Sequence, residues 1–179
     1  SFGLYQGMAV PSYVDIDSIE QLNANADKLG NRIIGIEPGS GLMSDANNVV
    51  KAYDIKLKLV EGSTSAMTAA LKSAVDRKEW VAVTVWDPSW MTKKFDLKFL
   101  KDPKGVFPPL QGYYWIGHKG FAETNPRARE LMAGVYVPIT DITAMNAEVK
   151  DGKTMDEAIK GWIDSHTDLV NRWGNIKNY

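Results

Sequence analysis

Cysteine is absent from the 179 residues. Disulfides and thiolate metal sites are therefore excluded, although the absence alone does not fix a compartment. No run of about 18 apolar residues occurs, so no stretch reads as a membrane span. An excess of one charge is also missing: 21 basic residues balance 22 acidic ones, for a formal net charge of −1. That balance argues against a nucleic-acid partner, which calls for a basic face. Histidine is scarce, with two copies, and His118 and His166 lack the close spacing of metal ligands. No signal peptide, internal repeat or low-complexity tract stands out.

With 44% apolar and 24% charged residues, the chain has the composition of a soluble globular protein. Its length is enough to bury a real core as one domain, or one domain and a short extension. It opens at Ser1 without an initiator Met and enters at once into strand-like sequence, so a mature product or a piece of a longer chain is expected.

Apolar periodicity organises the first half. "LYQGMAVPSYV" reads as a strand interrupted at Pro11, and "DSIEQLNANA" as a helix capped through Asp17 and Glu20. "NRIIGI", "IKLKLVE" and "EWVAVTVW" are strand candidates, the last rich in Val and Trp and expected at the sheet centre. "SDANNVVKAYD" and "STSAMTAALKSAVDRK" are helix candidates. In the second, Met67, Ala70, Leu71, Ala74 and Val75 form one stripe. This alternation predicts an α/β fold with a central mixed or parallel sheet flanked by helices. "FLKDPKGVFPPLQG" reads as loop and "YYWIGHKG" as a strand. Asn125-Pro126 starts a helix, and the tail predicts two more. The second of these opens on the capping box Thr154-x-x-Glu157 and carries Ile159, Trp162 and Ile163 on its apolar face.

Two places point to ligand chemistry. In "IIGIEPGSGLMSDA" an apolar run ends in a Pro/Gly turn before a helix, a geometry that aims backbone N–H groups at an anion. Gly39-x-Gly41-x-x-Ser44, with Glu61 some way on, is a near match to a dinucleotide fingerprint. Ser44 replaces the Gly that permits close helix–strand approach, and Glu37-Pro38 displaces the turn. A nucleotide-binding oxidoreductase domain is thus the alternative reading. An empty turn, or a small carboxylate held on the Gly41 and Leu42 amides beside Ser40, are the others.

The second place is "TVWDPSWM". Trp86 ends a strong strand where open α/β sheets keep their ligand crevice. An indole face there suits a cation that cannot donate hydrogen bonds, but a Trp is as readily a packing residue. Trp80 and Trp162 are assigned to packing, and Trp90 is expected to pack beneath Trp86. Trp115 and Trp173 are left open. Asp87 reads as a turn residue, and both His residues as structural. No nucleophile elbow, paired carboxylate or Ser-His-Asp order is present, so no catalytic residue, no cofactor and no metal are expected. A carboxylate on amides with a cation against Trp86 describes a small zwitterion bearing a quaternary ammonium.

"GIEPGSGLM", "SAMTAALKSAVDRKEWVAVTVWDPSWM" and "VPITDITAMNAEVKDGKTMDEAIKGWIDSHTDLVNRW" resemble the glycine betaine/proline betaine substrate-binding proteins of bacterial ABC importers. The resemblance implies a periplasmic-binding-protein-like, ligand-binding α/β lobe over 8–120 and a C-terminal helical segment over 121–179 that would pack on or return to the missing first lobe. It implies osmoprotectant uptake outside the cytoplasmic membrane, with an ABC permease as partner. In that family a cage of three Trp holds the trimethylammonium, and backbone amides hold the carboxylate. Trp86 would be one wall, and Gly41 and Leu42 the amides. The chain starts where the family's first lobe would already have ended. A fragment, or one chain of a split or domain-swapped assembly, is therefore expected, with half a cage.

Overall fold

The computed structural model describes residues 2–174. They form two compact units: Leu4–Gln111, and Gly112 onward with the first residues of the chain.

The first unit is built on a mixed sheet. Its strands are β1 (Phe2–Pro11), β2 (Arg32–Ile34), β3 (Lys58–Val60), β4 (Ala82–Asp87) and β5 (Leu97–Phe99), ordered β3-β2-β4-β1-β5. β2 runs parallel to β3 and β4, whereas β1 is antiparallel to β4 and β5. β4 holds the centre, as its Val-rich sequence predicts, and Ala82 through Val85 are fully buried. A strand buried on both faces needs no apolar/polar alternation, which explains its continuous run. The core joins Met8, Val10, Ile33, Met43, Val49, Met67, Leu71 and Val83.

Helix α1 (Gly41–Ala52) buries Leu42, Met43, Ala46 and Val49, and helix α2 (Thr64–Asp76) buries Met67, Leu71 and Ala74. These are the faces that 3.6-residue periodicity selects. Ser40 and Ser63 cap them by accepting the Met43 and Ala66 amides. A short helix α3 (Trp90–Lys94) follows β4. Trp80, Trp86 and Trp90 all pack partly against the core.

One expected helix is replaced. Residues after Asp17 form two single 3₁₀ turns, Ile19–Gln21 and Asn23–Asn25, and the capping box uses Ser18 and Gln21 rather than Asp17 and Glu20. Ser18 is pinned beside Lys101, and the Ile19 amide donates to the Lys101 carbonyl, which fixes the turn one residue later.

The second unit begins at the end of β6 (Gln111–Gly112) and is helical: α4 (Phe121–Thr124), α5 (Pro126–Gly134), α6 (Ile139–Lys150), α7 (Met155–Ser165) and α8 (Thr167–Gly174). The expected strand over "YYWIGHKG" is not there. Tyr113, Tyr114, Trp115 and Ile116 are exposed and lie outside any strand. Their side chains favour strands, but propensity alone does not make one, and the backbone after β6 is irregular up to α4. The predicted single final helix is broken at His166 into α7 and α8. Its capping box at Thr154 and Glu157 is present. Trp162 is buried and donates Nε1–H to Asp141 at 2.9 Å, with His166 stacked at 4.4 Å and Trp173 at 6.0 Å. Ile159 and Ile163, expected on the buried face, are instead 42% and 37% exposed. Among the described residues no helix is long and apolar enough to cross a membrane.

Candidate functional site

Burial along β4 stops at its end. Val85 is buried and Trp86, the next residue, is half-buried. The chain then turns through a cis Asp87–Pro88 bond into α3. Asp87 is used in that turn: its Oδ1 accepts from the Thr92 hydroxyl at 2.9 Å. Ser89 caps α3 by accepting the Met91 amide at 3.3 Å. Asp87 is thus the last residue of β4, its carboxylate engaged in the connection to α3.

Beside it lies a cleft of about 230 Å³, lined by Leu4, Tyr5, Gln6, Trp86, Pro108, Pro109 and Gln111. No lining side chain is ionised at neutral pH. Burial, and then the Asp102 carboxylate, push the Tyr5 phenol above its ordinary range. Tyr5 packs edge-on against Phe99 at 4.9 Å. It also leans over Gly7, where an added Cβ would lie 3.3 Å from its ring. A lining with an indole, proline rings and two neutral amides suits methylated cationic groups, which carry charge but offer no hydrogen bond.

The Pro/Gly turn is equally well fixed. Glu37 accepts from the Thr64 amide and hydroxyl, both at 2.8 Å, tying the turn to the start of α2. These bonds hold its carboxyl below the usual range. Gly39 takes φ +82°, a conformation that disfavours side chains. The Ser40 hydroxyl accepts the Met43 amide at 3.3 Å. The Gly41 and Leu42 amides, at the first two helical positions, have no intrahelical partner. Leu42's side chain is buried while Gly41 is exposed, so only backbone is on offer there.

Ser40, Gly41 and Leu42 do not line the Trp86 cleft. The link between the two places is Gln6. It stands opposite Trp86 in the β1–β4 ladder, and its amide donates to Asp45 Oδ2 at 2.5 Å. Asp45 lies on α1, one turn beyond Gly41.

The near-fingerprint has a different physical origin. The close approach of α1 to its strand is made by Gly35, where an added Cβ would meet Met43 Sδ at 2.5 Å. Ser44, at the fingerprint's third position, is exposed, and Glu61 is exposed after β3.

Reading the sequence alone misses Tyr5, Gln6, Pro108 and Pro109 as cleft residues. The Pro pair is visible as a loop signal, but its position against Trp86 depends on pairing β1 with β4.

Residues 1–165 match the family described as the substrate binding domain of the ABC-type glycine betaine transport system. The chain belongs to this family. A glycine betaine/carnitine transport binding protein of Listeria monocytogenes is 37% identical over 150 residues, 82% of this chain and 50% of that protein. A glycine betaine/proline betaine-binding periplasmic protein of Escherichia coli is 26% identical over 170 residues, 80% of this chain and 52% of that one. The chain thus spans about half the length of the curated relatives it matches. Among solved structures, lactococcal OpuAC in a closed form complexed with glycine betaine superposes with a TM-score of 0.84 at 37% identity. That likeness covers 96% of this chain and 67% of the other. A choline binding protein in complex with choline shares the fold, with a TM-score of 0.74 at 20% identity. These comparisons bear out the expected periplasmic-binding-protein-like α/β fold and give the oxidoreductase alternative no support.

Proposed function

We propose that this substrate-binding domain takes part in importing a quaternary ammonium solute, with glycine betaine or a related betaine as ligand. In this reading Trp86 provides a cation–π wall and the Gly41 and Leu42 amides hold the carboxylate. The observation that carries it is the uncharged cleft at the end of β4, lined by Trp86, Tyr5, Pro108 and Pro109 among others. Ser40 fixes the turn by capping α1 and leaves those two amides free.

The domain is a binding module and not an enzyme. It works on the outer side of the cytoplasmic membrane and hands its ligand to an ABC permease. The relatives carry about as much chain again. The reading takes the remaining cage walls from a further lobe, on the same chain or on a domain-swapped partner. Cation–π contacts contribute roughly 0.5–2 kcal/mol each, so missing two walls weakens binding by about 1–4 kcal/mol. Residues 1–179 alone should therefore bind weakly.

A thermal-shift screen with glycine betaine, proline betaine, choline, carnitine and NAD tests this. Stabilisation by betaines at millimolar concentration, lost in Trp86→Ala, is the expected result. Stabilisation by NAD that responds to Glu61→Ala would overturn it.

A further inference from the structure

The loop that carries the proline wall is fastened by residues outside the cleft lining. Asp102 closes residues 102–107 on itself: its carbonyl accepts the Gly105 amide at 3.0 Å, and Oδ2 accepts the Phe107 amide at 2.7 Å. Gly105 sits at φ +61°, as the tight turn requires. The loop wraps the tip of Tyr53 at the end of α1. The Tyr53 hydroxyl donates to Asp102 Oδ1 at 2.5 Å and accepts the Lys104 amide at 2.6 Å. Lys104 reaches back to the Ala52 carbonyl at 2.6 Å, its ammonium 4.5 Å from the Tyr53 ring centre. Phe107 is 5% exposed and joins the core.

Directly after Phe107 come Pro108 and Pro109, both in the cleft lining. Each proline has a fixed φ, so two in succession pass a displacement of Phe107 on to the cleft instead of absorbing it. The Asp102 charge also acts on Tyr5, a second lining residue.

We propose that Tyr53 and Asp102 are positioning residues of the Trp86 cleft: their clasp fixes the 102–107 loop and, through Pro108 and Pro109, sets the separation of the proline wall from the indole. As to the ligand, this rests on the betaine reading; as to geometry, it does not. Charge-assisted hydrogen bonds are among the stronger ones, and a site loosened at its supporting shell loses affinity. Breaking the clasp should lower betaine affinity about tenfold.

The test uses the full chain labelled with 5-fluorotryptophan, with the Trp86 ¹⁹F resonance assigned by its loss in Trp86→Phe. Tyr53→Phe and Asp102→Ala should shift or broaden that resonance and leave those of Trp162 and Trp173 in place. Asp102→Asn, which keeps an oxygen for the Phe107 amide, should restore part of the wild-type signal. Tyr13→Phe serves as control: it removes a 2.8 Å hydrogen bond to the Glu79 carbonyl and should cost stability without moving Trp86. A Trp86 resonance unchanged in Tyr53→Phe, which removes a single oxygen from a folded protein, overturns the proposal. If the wild type takes up no glycine betaine, the ligand reading fails, while the resonance still decides the positioning role.

Discussion

Gln6 and Trp86 stand opposite each other across the β1–β4 ladder, and Gln6 ties that rung to α1 through Asp45. The residue thus joins the indole to the helix whose first amides are free. Replacing Gln6 by Ala leaves the Asp45 carboxylate without this donor. Hydrogen bonds to charged groups contribute about 1.5–3 kcal/mol, so denaturant unfolding should show a loss near the lower end of that range at this half-buried site. Betaine binding should weaken as well, because helix and indole are no longer held in register.

Trp86 itself separates an aromatic role from a packing role. Trp86→Phe keeps a ring with a weaker face, and Trp86→Ala removes the face. Cation–π contacts of roughly 0.5–2 kcal/mol correspond to about a twofold to thirtyfold loss of affinity in the Ala variant. The Phe variant should fall between. Near-UV circular dichroism should show the rest of the fold retained in both.

Gly41→Pro addresses the amides. A proline at the first helical position is well tolerated, and it deletes one N–H donor. Ser40, at φ −68° and ψ 152°, already has the extended conformation that a following proline demands. An added Cβ at Gly41 meets nothing within 4 Å. The melting temperature should therefore change little. Glycine betaine binding should weaken, whereas choline, which lacks a carboxylate, should bind the variant and the wild type alike.

What could be read from the sequence was whatever depends on neighbours in the chain. The buried face of α2, the central β4 and the Thr154 capping box follow from periodicity, a continuous apolar run and three-residue spacing. The position of Trp86 at a strand end is of the same kind. Other features depend on distant segments. Tyr5 and Gln6 reach the cleft because β1 inserts antiparallel between β4 and β5, and no local pattern encodes that insertion. "YYWIGHKG" has strand-like residues in irregular backbone, because propensity without a partner strand chosen by the rest of the fold does not make a strand. Ile159 and Ile163 follow the apolar period of α7, but the face buried there is that of Ala158 and Trp162.

The clasp also has a pH signature. Desolvation by burial, followed by the hydrogen bond to Asp102, raises the Tyr53 phenol from 10.0 to about 12. The folded state thus favours the protonated phenol. Its contribution is complete below the unfolded value near 10 and is lost as pH rises through about 12. The stability difference between wild type and Tyr53→Phe, from urea unfolding, should be constant up to about pH 9 and shrink toward pH 12. A difference that grows over this interval would contradict the assignment.

The most direct test of the central claim is a ¹H–¹⁵N titration of the full chain with glycine betaine, following the Trp86 indole Nε1 and the Gly41 and Leu42 amides together. The account predicts that all three shift along one saturation curve at millimolar ligand, with the exposed Trp115 unaffected. Shifts confined to other residues, or a Trp86 response without any at Gly41 and Leu42, would contradict it.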